Sequence, residues 1–156
     1  MKTMKTKKKS MEQIWALVCK TSSIDEETNS LSLFNIVEEI TIDTRKAREQ
    51  GEQKNTASFP IQIPLEIVIM LRKNRVNQSI TADLRIDLLD PKGKSLQHMQ
   101  AAVKINKEHK RLRFRIKMNG IEVSSSGDYL LKISTQEPNE EAFGKIGEIP
   151  LEVRIL

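Results

Sequence analysis

The sequence predicts an all-β fold, a two-sheet antiparallel β-sandwich of about eight strands. Three observations predict it. From Arg111 to Met118, cationic and apolar residues alternate without a fault, which is the period of a strand with one buried and one wet face. The same period returns, less cleanly, along most of the chain. The segments that carry it are separated by turn-forming clusters and not by amphipathic helical stretches, the punctuation of a sandwich or barrel. Strands of unequal length and a Gly-poor body favour the sandwich.

The elements follow in order. Residues 1–11 read as a disordered basic tail, and 12–156 as a single domain. Ile14–Lys20 is a short apolar run, expected as a strand buried on both faces. Thr21–Asn29 is a polar connection rich in Ser, Thr, Asp and Asn. Residues 31–42 supply a second strand, placed by its spacing in a hairpin with the first. A helix also fits Leu33, Val37 and Ile40, but the β-branched content favours the strand. Residues 43–58 form a long polar loop without an apolar anchor. Phe59–Lys73 alternates over a long span, with Ile61, Ile63, Leu65, Ile67, Ile69 and Leu71 on one face. Pro60 and Pro64 place its first half at an edge or a bulge.

Ile80–Asp90 alternates next and ends in Asp90-Pro91-Lys92-Gly93. Asp first, Pro second and Gly fourth are the preferences of a type I turn, so a hairpin leads into a strand over Lys94–Ile105. After a turn at 106–110 comes the alternating strand at 111–118, continuing irregularly through 119–123. Tyr129–Ser134 and Ile149–Ile155 are the last two strands, joined by a polar loop at 136–145.

At 156 residues the chain is one ordinary domain. Aromatics are 4% of it, so Ile, Leu, Val and Met must build the core. The net charge of +5 has a local origin: Lys2, Lys5, Lys7, Lys8 and Lys9 stand in the first ten residues with no acid. Without those five the 26 bases become 21, equal to the 21 acids, so the folded body is neutral. A nucleic-acid-binding domain carries its basic excess on the body, which argues against that partner. The apolar run after the tail is too short for a secretory signal, and nothing approaches the ~20 apolar residues of a membrane helix. Cys19 is the only cysteine and allows no intrachain disulfide. A cytoplasmic protein with no membrane contact is the expectation.

Trp15 to Cys19, Leu33-Phe34-Asn35-Ile36, Phe59-Pro60, Leu89 to Gly93, Asn119-Gly120-Ile121 and Gly127-Asp128-Tyr129 occur in that order. In this the chain resembles a family of small uncharacterised bacterial and phage proteins. The resemblance covers most of the chain after residue 12, in turn and core residues, and departs from the family over 43–58. It implies a compact immunoglobulin-like β-sandwich and no catalytic residues. In such sandwiches a Tyr near the start of a late strand ties a corner through its hydroxyl, the role expected of Tyr129.

No catalytic or metal constellation emerges. His98 and His109 are the only neutral-pH bases, and neither sits in a known motif. Asp25-Glu26-Glu27 is an acidic loop without calcium-loop spacing. Cys19 and Trp15 read as core residues. The expectation is a non-catalytic protein without metal or cofactor, which acts as a protein-interaction or accessory module, with a homodimer possible in principle. The loops 21–29, 43–58 and 136–145 are its expected contact regions. The alternative is an anion or nucleic-acid binder using the lysine tail and the row Arg111, Arg113, Arg115 and Lys117. Along a strand these cations stand about 6–7 Å apart. Asp87, Glu122 and Glu152 are the acids expected to neutralise them from neighbouring strands. No aromatic interleaves with the row, which argues against base stacking.

Overall fold

The computed structural model of the chain describes residues 8–45 and 58–156. Among these, nine strands form two sheets. They are β1 (Met11–Ile24), β2 (Leu31–Ile36), β3 (Glu39–Ile42), β4 (Phe59–Lys73), β5 (Ile80–Leu89), β6 (Ser95–Ile105), β7 (Arg111–Val123), β8 (Gly127–Gln136) and β9 (Gly144–Ile155). The first sheet runs β2-β1-β4-β7 and the second β3-β9-β8-β5-β6. The second sheet curls like half a barrel.

Period-two patterning builds the core between them. Leu65, Ile67, Ile69 and Leu71 of β4 stand opposite Met118, Ile116, Phe114 and Leu112 of β7, all on the inner face. Leu84, Ile86 and Leu88 of β5 and Ile133 of β8 meet them from the second sheet, none more than 1% exposed. Burying each such side chain contributes about 1.5–3 kcal/mol. The Asp90 turn forms as its composition requires. Gly93 N–H donates to the Asp90 carbonyl (2.8 Å), and Asp90 Oδ1 accepts from the Lys92 and Lys94 amides (2.9 Å each). Gly93 sits at φ +84, which glycine adopts without cost. Tyr129 is fully buried, and its hydroxyl donates to Ser125 O (2.8 Å) while accepting from the Ser124 and Ser125 amides (2.9 and 3.1 Å).

Five expectations change. The segment 31–42 is neither one strand nor a helix. β2 does pair with β1 as a hairpin, from Cys19↔Ile36 to Ile24↔Leu31. Asn35 then takes a left-handed φ of +54, and Val37 N–H bonds back to Val18 O (2.8 Å). β3 continues in the other sheet, parallel to β9, so the sheets are not wholly antiparallel. One segment thus supplies an edge strand to each sheet.

The first strand is twice as long as the apolar run, and Ile14 is 42% exposed. Residues 1–7 of the expected tail lie outside the described residues, but Met11 opens β1 and is buried. The stretch before it is held: Asn74 donates to Lys9 O and Ser10 O (2.8 Å each), and Lys9 Nζ reaches Thr135 O (2.9 Å) and Glu140 (2.7 Å).

The stretch 119–123 is regular, pairing with β4 as far as Phe59↔Val123. Gly120 permits this, since a Cβ there would stand 2.4 Å from Ile61 O. Finally, β9 begins at Gly144, which shortens the expected 136–145 loop. The 43–58 loop falls largely outside the described residues, at 46–57. Pro60 and Pro64 lie where expected: β1 reaches β4 only from Glu66 onward, and the pairing with β7 shifts between Gln62 and Leu65.

Candidate functional site: the cationic row on the first sheet

β7 is the outer strand of the first sheet. Its pairing with β4 sends Leu112, Phe114, Ile116 and Met118 inward, so Arg111, Arg113, Arg115 and Lys117 share the outer face. There they stand opposite Arg72, Met70, Val68 and Glu66. The acids expected to neutralise them make no ion pair with them among the described residues, although Glu122 lies further along β7 itself. Asp87 sits on the second sheet, where Arg85 donates to it (3.0–3.1 Å) and Ser95 Oγ at 3.2 Å. Glu152 accepts from Arg154 (2.9 Å). Glu122 offers its backbone N–H to the Gln97 side chain (3.1 Å). Among the described residues, none of the four cations forms an ion pair.

Two of them instead hold neutral acceptors. Arg113 Nη1 donates to Asn29 Oδ1 (3.2 Å) and Arg115 Nη1 to Ser22 Oγ (3.1 Å). Ser22 and Asn29 belong to the β1–β2 hairpin, which therefore folds back over the outer face. This cover explains burial on a nominally solvent side: Cys19 and Val68 are fully buried and Glu66 is 4% exposed. Glu66 stands opposite Lys117 in register, yet its Oε2 has no hydrogen-bond partner. Burial pushes the Cys19 thiol above its ordinary value, and the Glu66 carboxylate adds to the shift. Such a thiol is a weak nucleophile at neutral pH. Arg111 faces Arg72, whose guanidinium is engaged by Glu12; that hydrogen bond holds the Glu12 carboxyl below its usual range.

Trp15 is not core. It is half-buried on the outer face with Leu17 and Met70, opposite Leu31 and Leu33 of the hairpin. Between them lies a cleft of about 430 Å³, with Arg113 at its wall. His98 and His109 are both exposed, and neither lines this cleft. In the acidic turn, Asp25 Oδ1 accepts from the Thr28 and Glu27 amides (2.7 and 3.0 Å), and the Thr28 bond leads in lowering its pKa. That carboxylate is thereby committed to its own turn. Among the described residues no group of three His, Cys, Asp or Glu gathers as a metal site. No helix described is long and apolar enough to cross a membrane.

Of the three candidate loops, 46–57 lies outside the described residues, and the described parts do not come together. The 21–29 segment lies on the cationic row, while 136–145 and the start of 43–58 leave opposite ends of β9. Two functional-looking residues escaped notice in the sequence. Gln97 of β6 reaches across to the β7 backbone, accepting from Glu122 N–H and donating to Gly120 O (3.4 Å). It occupies the edge of β7 where a neighbouring strand would bond. Lys73 is 8% exposed, and its ammonium donates to Gln78 O, Asn106 O and Lys107 O (2.8–2.9 Å), tying two loops together. Its signal was its place on the apolar face of β4, two residues after Leu71.

The chain matches no family model and no curated protein.

Proposed function

We propose that this protein is a non-catalytic interaction module of immunoglobulin-like type, which docks an acidic, extended segment of a partner protein along the edge of β7. One observation carries the reading. The four outward cations of this edge strand have no carboxylate partner among the described residues, although the body as a whole is charge-balanced. From Lys104 to Lys117 seven bases accompany a single acid, Glu108. Among the described residues no strand pairs with the outer side of β7. Gln97 caps that side at 120–122 and β6 packs near it, so an added strand would take the unbonded backbone groups of 111–118 on the outer side of β6. A partner strand with an acid at every second position would match the period of the row, each cross-strand pair adding about 0.2–1 kcal/mol.

A protein strand suits this edge better than nucleic acid. It can bond to the β7 backbone, whereas Trp15, the aromatic that shares a cleft with Arg113, is half-buried and offers bases little face to stack on. The immunoglobulin-like assignment is supported by the partition of β1-β4-β7 against β9-β8-β5, and by the corner tied by Tyr129. The buried free thiol of Cys19 suits a cytoplasmic setting.

The test is fluorescence anisotropy with a labelled ten-residue peptide alternating Glu and Val. Binding should weaken steeply with salt. It should fall at least tenfold when Arg111, Arg115 and Lys117 become Ser, and also for a peptide of the same composition with its acids in one block. Equal binding of both peptides, or tighter binding of a single-stranded oligonucleotide of equal charge, would overturn the reading. Loss of nothing in the triple variant would leave the row as simple protection against edge-to-edge aggregation.

A further inference from the structure

We propose that the cleft between the β1–β2 hairpin and the outer face of the first sheet binds a small amphipathic carboxylate. Its apolar body would lie against Trp15, Leu17, Leu31, Leu33 and Met70, and its carboxylate on Arg113. This goes beyond the docking edge, which lies on the other side of the row.

The walls come from two elements that meet at their rims and not at their centres. Arg113 and Arg115 pin the hairpin at Asn29 and Ser22, but the apolar side chains between remain half-buried around about 430 Å³. The cleft is shallow and open to solvent, and it shares with small-ligand sites a mostly apolar lining with one or two polar groups that fix orientation. Apolar surface left in this state gains by being covered.

The charge selects the ligand. Arg113 has a neutral partner in Asn29, no ion pair among the described residues, and two further cations flanking it on the same face. The nearest acidic turn does not compensate it through Asp25, whose Oδ1 is taken by Thr28 and Glu27 of that same turn. A guanidinium at the lip of an apolar cleft fits a carboxylate in bidentate geometry. A phosphate dianion would want more donors than a single arginine wall supplies.

Trp15 is the only tryptophan and lies in the cleft wall, so its emission reports occupancy in the full-length protein. Titration with octanoate and decanoate, below their micellar concentrations, should give saturable changes. Each added methylene should tighten binding about three- to fourfold, hence about tenfold between the two acids. Decanol should bind more weakly than decanoate. Arg113→Gln should weaken decanoate at least tenfold and leave decanol unchanged. Met70→Phe, which narrows the cleft without touching the charge, should weaken both, with melting curves confirming that each variant is folded. The proposal is overturned if decanoate gives no saturable change in the wild-type protein, if decanol binds as well as decanoate, or if Arg113→Gln binds decanoate unchanged. The acidic-peptide assay omits Arg113, so failure here and failure of the docking edge are read separately.

Discussion

The outer faces of the two sheets are written in the same alternating code and end in opposite electrostatic states. On the second sheet the charges close on one another. Asp87 is 5% exposed and holds Arg85 and Ser95, Arg154 bridges Glu39 and Glu152, and Lys145 pairs with Glu148. Arg85 also lies 5.9 Å from the Phe143 ring centroid. On the first sheet, Arg111, Arg113, Arg115 and Lys117 find two neutral acceptors and no carboxylate. The difference lies in sheet order. Among the described residues β7 pairs as a strand only with β4, whose outward residues are Arg72, Met70, Val68 and Glu66, with the apolar pair in the middle under the hairpin and one acid, Glu66, which is buried. A balanced composition therefore hides a locally unbalanced surface.

The largest effect expected from this contrast is at Asp87. Removing it takes a nearly buried carboxylate from the partly exposed Arg85, and hydrogen bonds to charged groups contribute about 1.5–3 kcal/mol. Asp87→Ala should lower stability by about 2–3 kcal/mol in urea titration, whereas Arg115→Ala on the open face should cost under about 0.5 kcal/mol. Equal losses at the two positions would mean that the open row is as tightly engaged as the closed one.

This contrast also marks how far the sequence could be read. Strands and their inner faces were legible, because burial on one side imposes a period of two wherever it occurs. The Asp90 turn and the Tyr129 corner were legible, because each depends on residues close in sequence. The neutralisation of the row was not, because it depends on which strand lies beside β7. That Asp87 serves the other sheet follows from β5 pairing with β6 and β8. The passage of 31–42 from one sheet to the other left a single local trace, Asn35 at a positive φ. The fold-back of the hairpin left none, since Trp15, Leu17, Leu31 and Leu33 look like core residues whichever face they cover.

An intermediate effect is expected at Glu66, on the covered part of the first face. Its Oε2 is buried and unpartnered, a state that costs free energy, and Lys117 makes no ion pair with it. Glu66→Met keeps the volume and removes the orphan acceptor, so stability should rise by about 1 kcal/mol. A fall instead would show that Lys117 needs this carboxylate, and the first face would then resemble the second.

The smallest effect lies at Glu12, where the first face comes closest to closing as the second does. Its hydrogen bond from Arg72 depresses the Glu12 carboxyl in the folded state. A depressed carboxyl contributes stability above the ordinary carboxylate value of about 4, and that contribution is lost as pH falls through the lower folded value. The stability gap between wild type and Glu12→Gln should therefore be constant above about pH 5 and vanish toward strongly acid solution. The pair is exposed, so the gap is small. The same substitution releases Arg72 beside Arg111, its register neighbour, and lengthens the unmatched row by one cation. Glu12→Gln should thus bind the alternating acidic peptide several-fold more tightly while being slightly less stable, each added cation near such a surface contributing about 1 kcal/mol or less. If affinity stays flat while the acid limb changes as described, Arg72 lies outside the docking edge, and the row ends at Arg111.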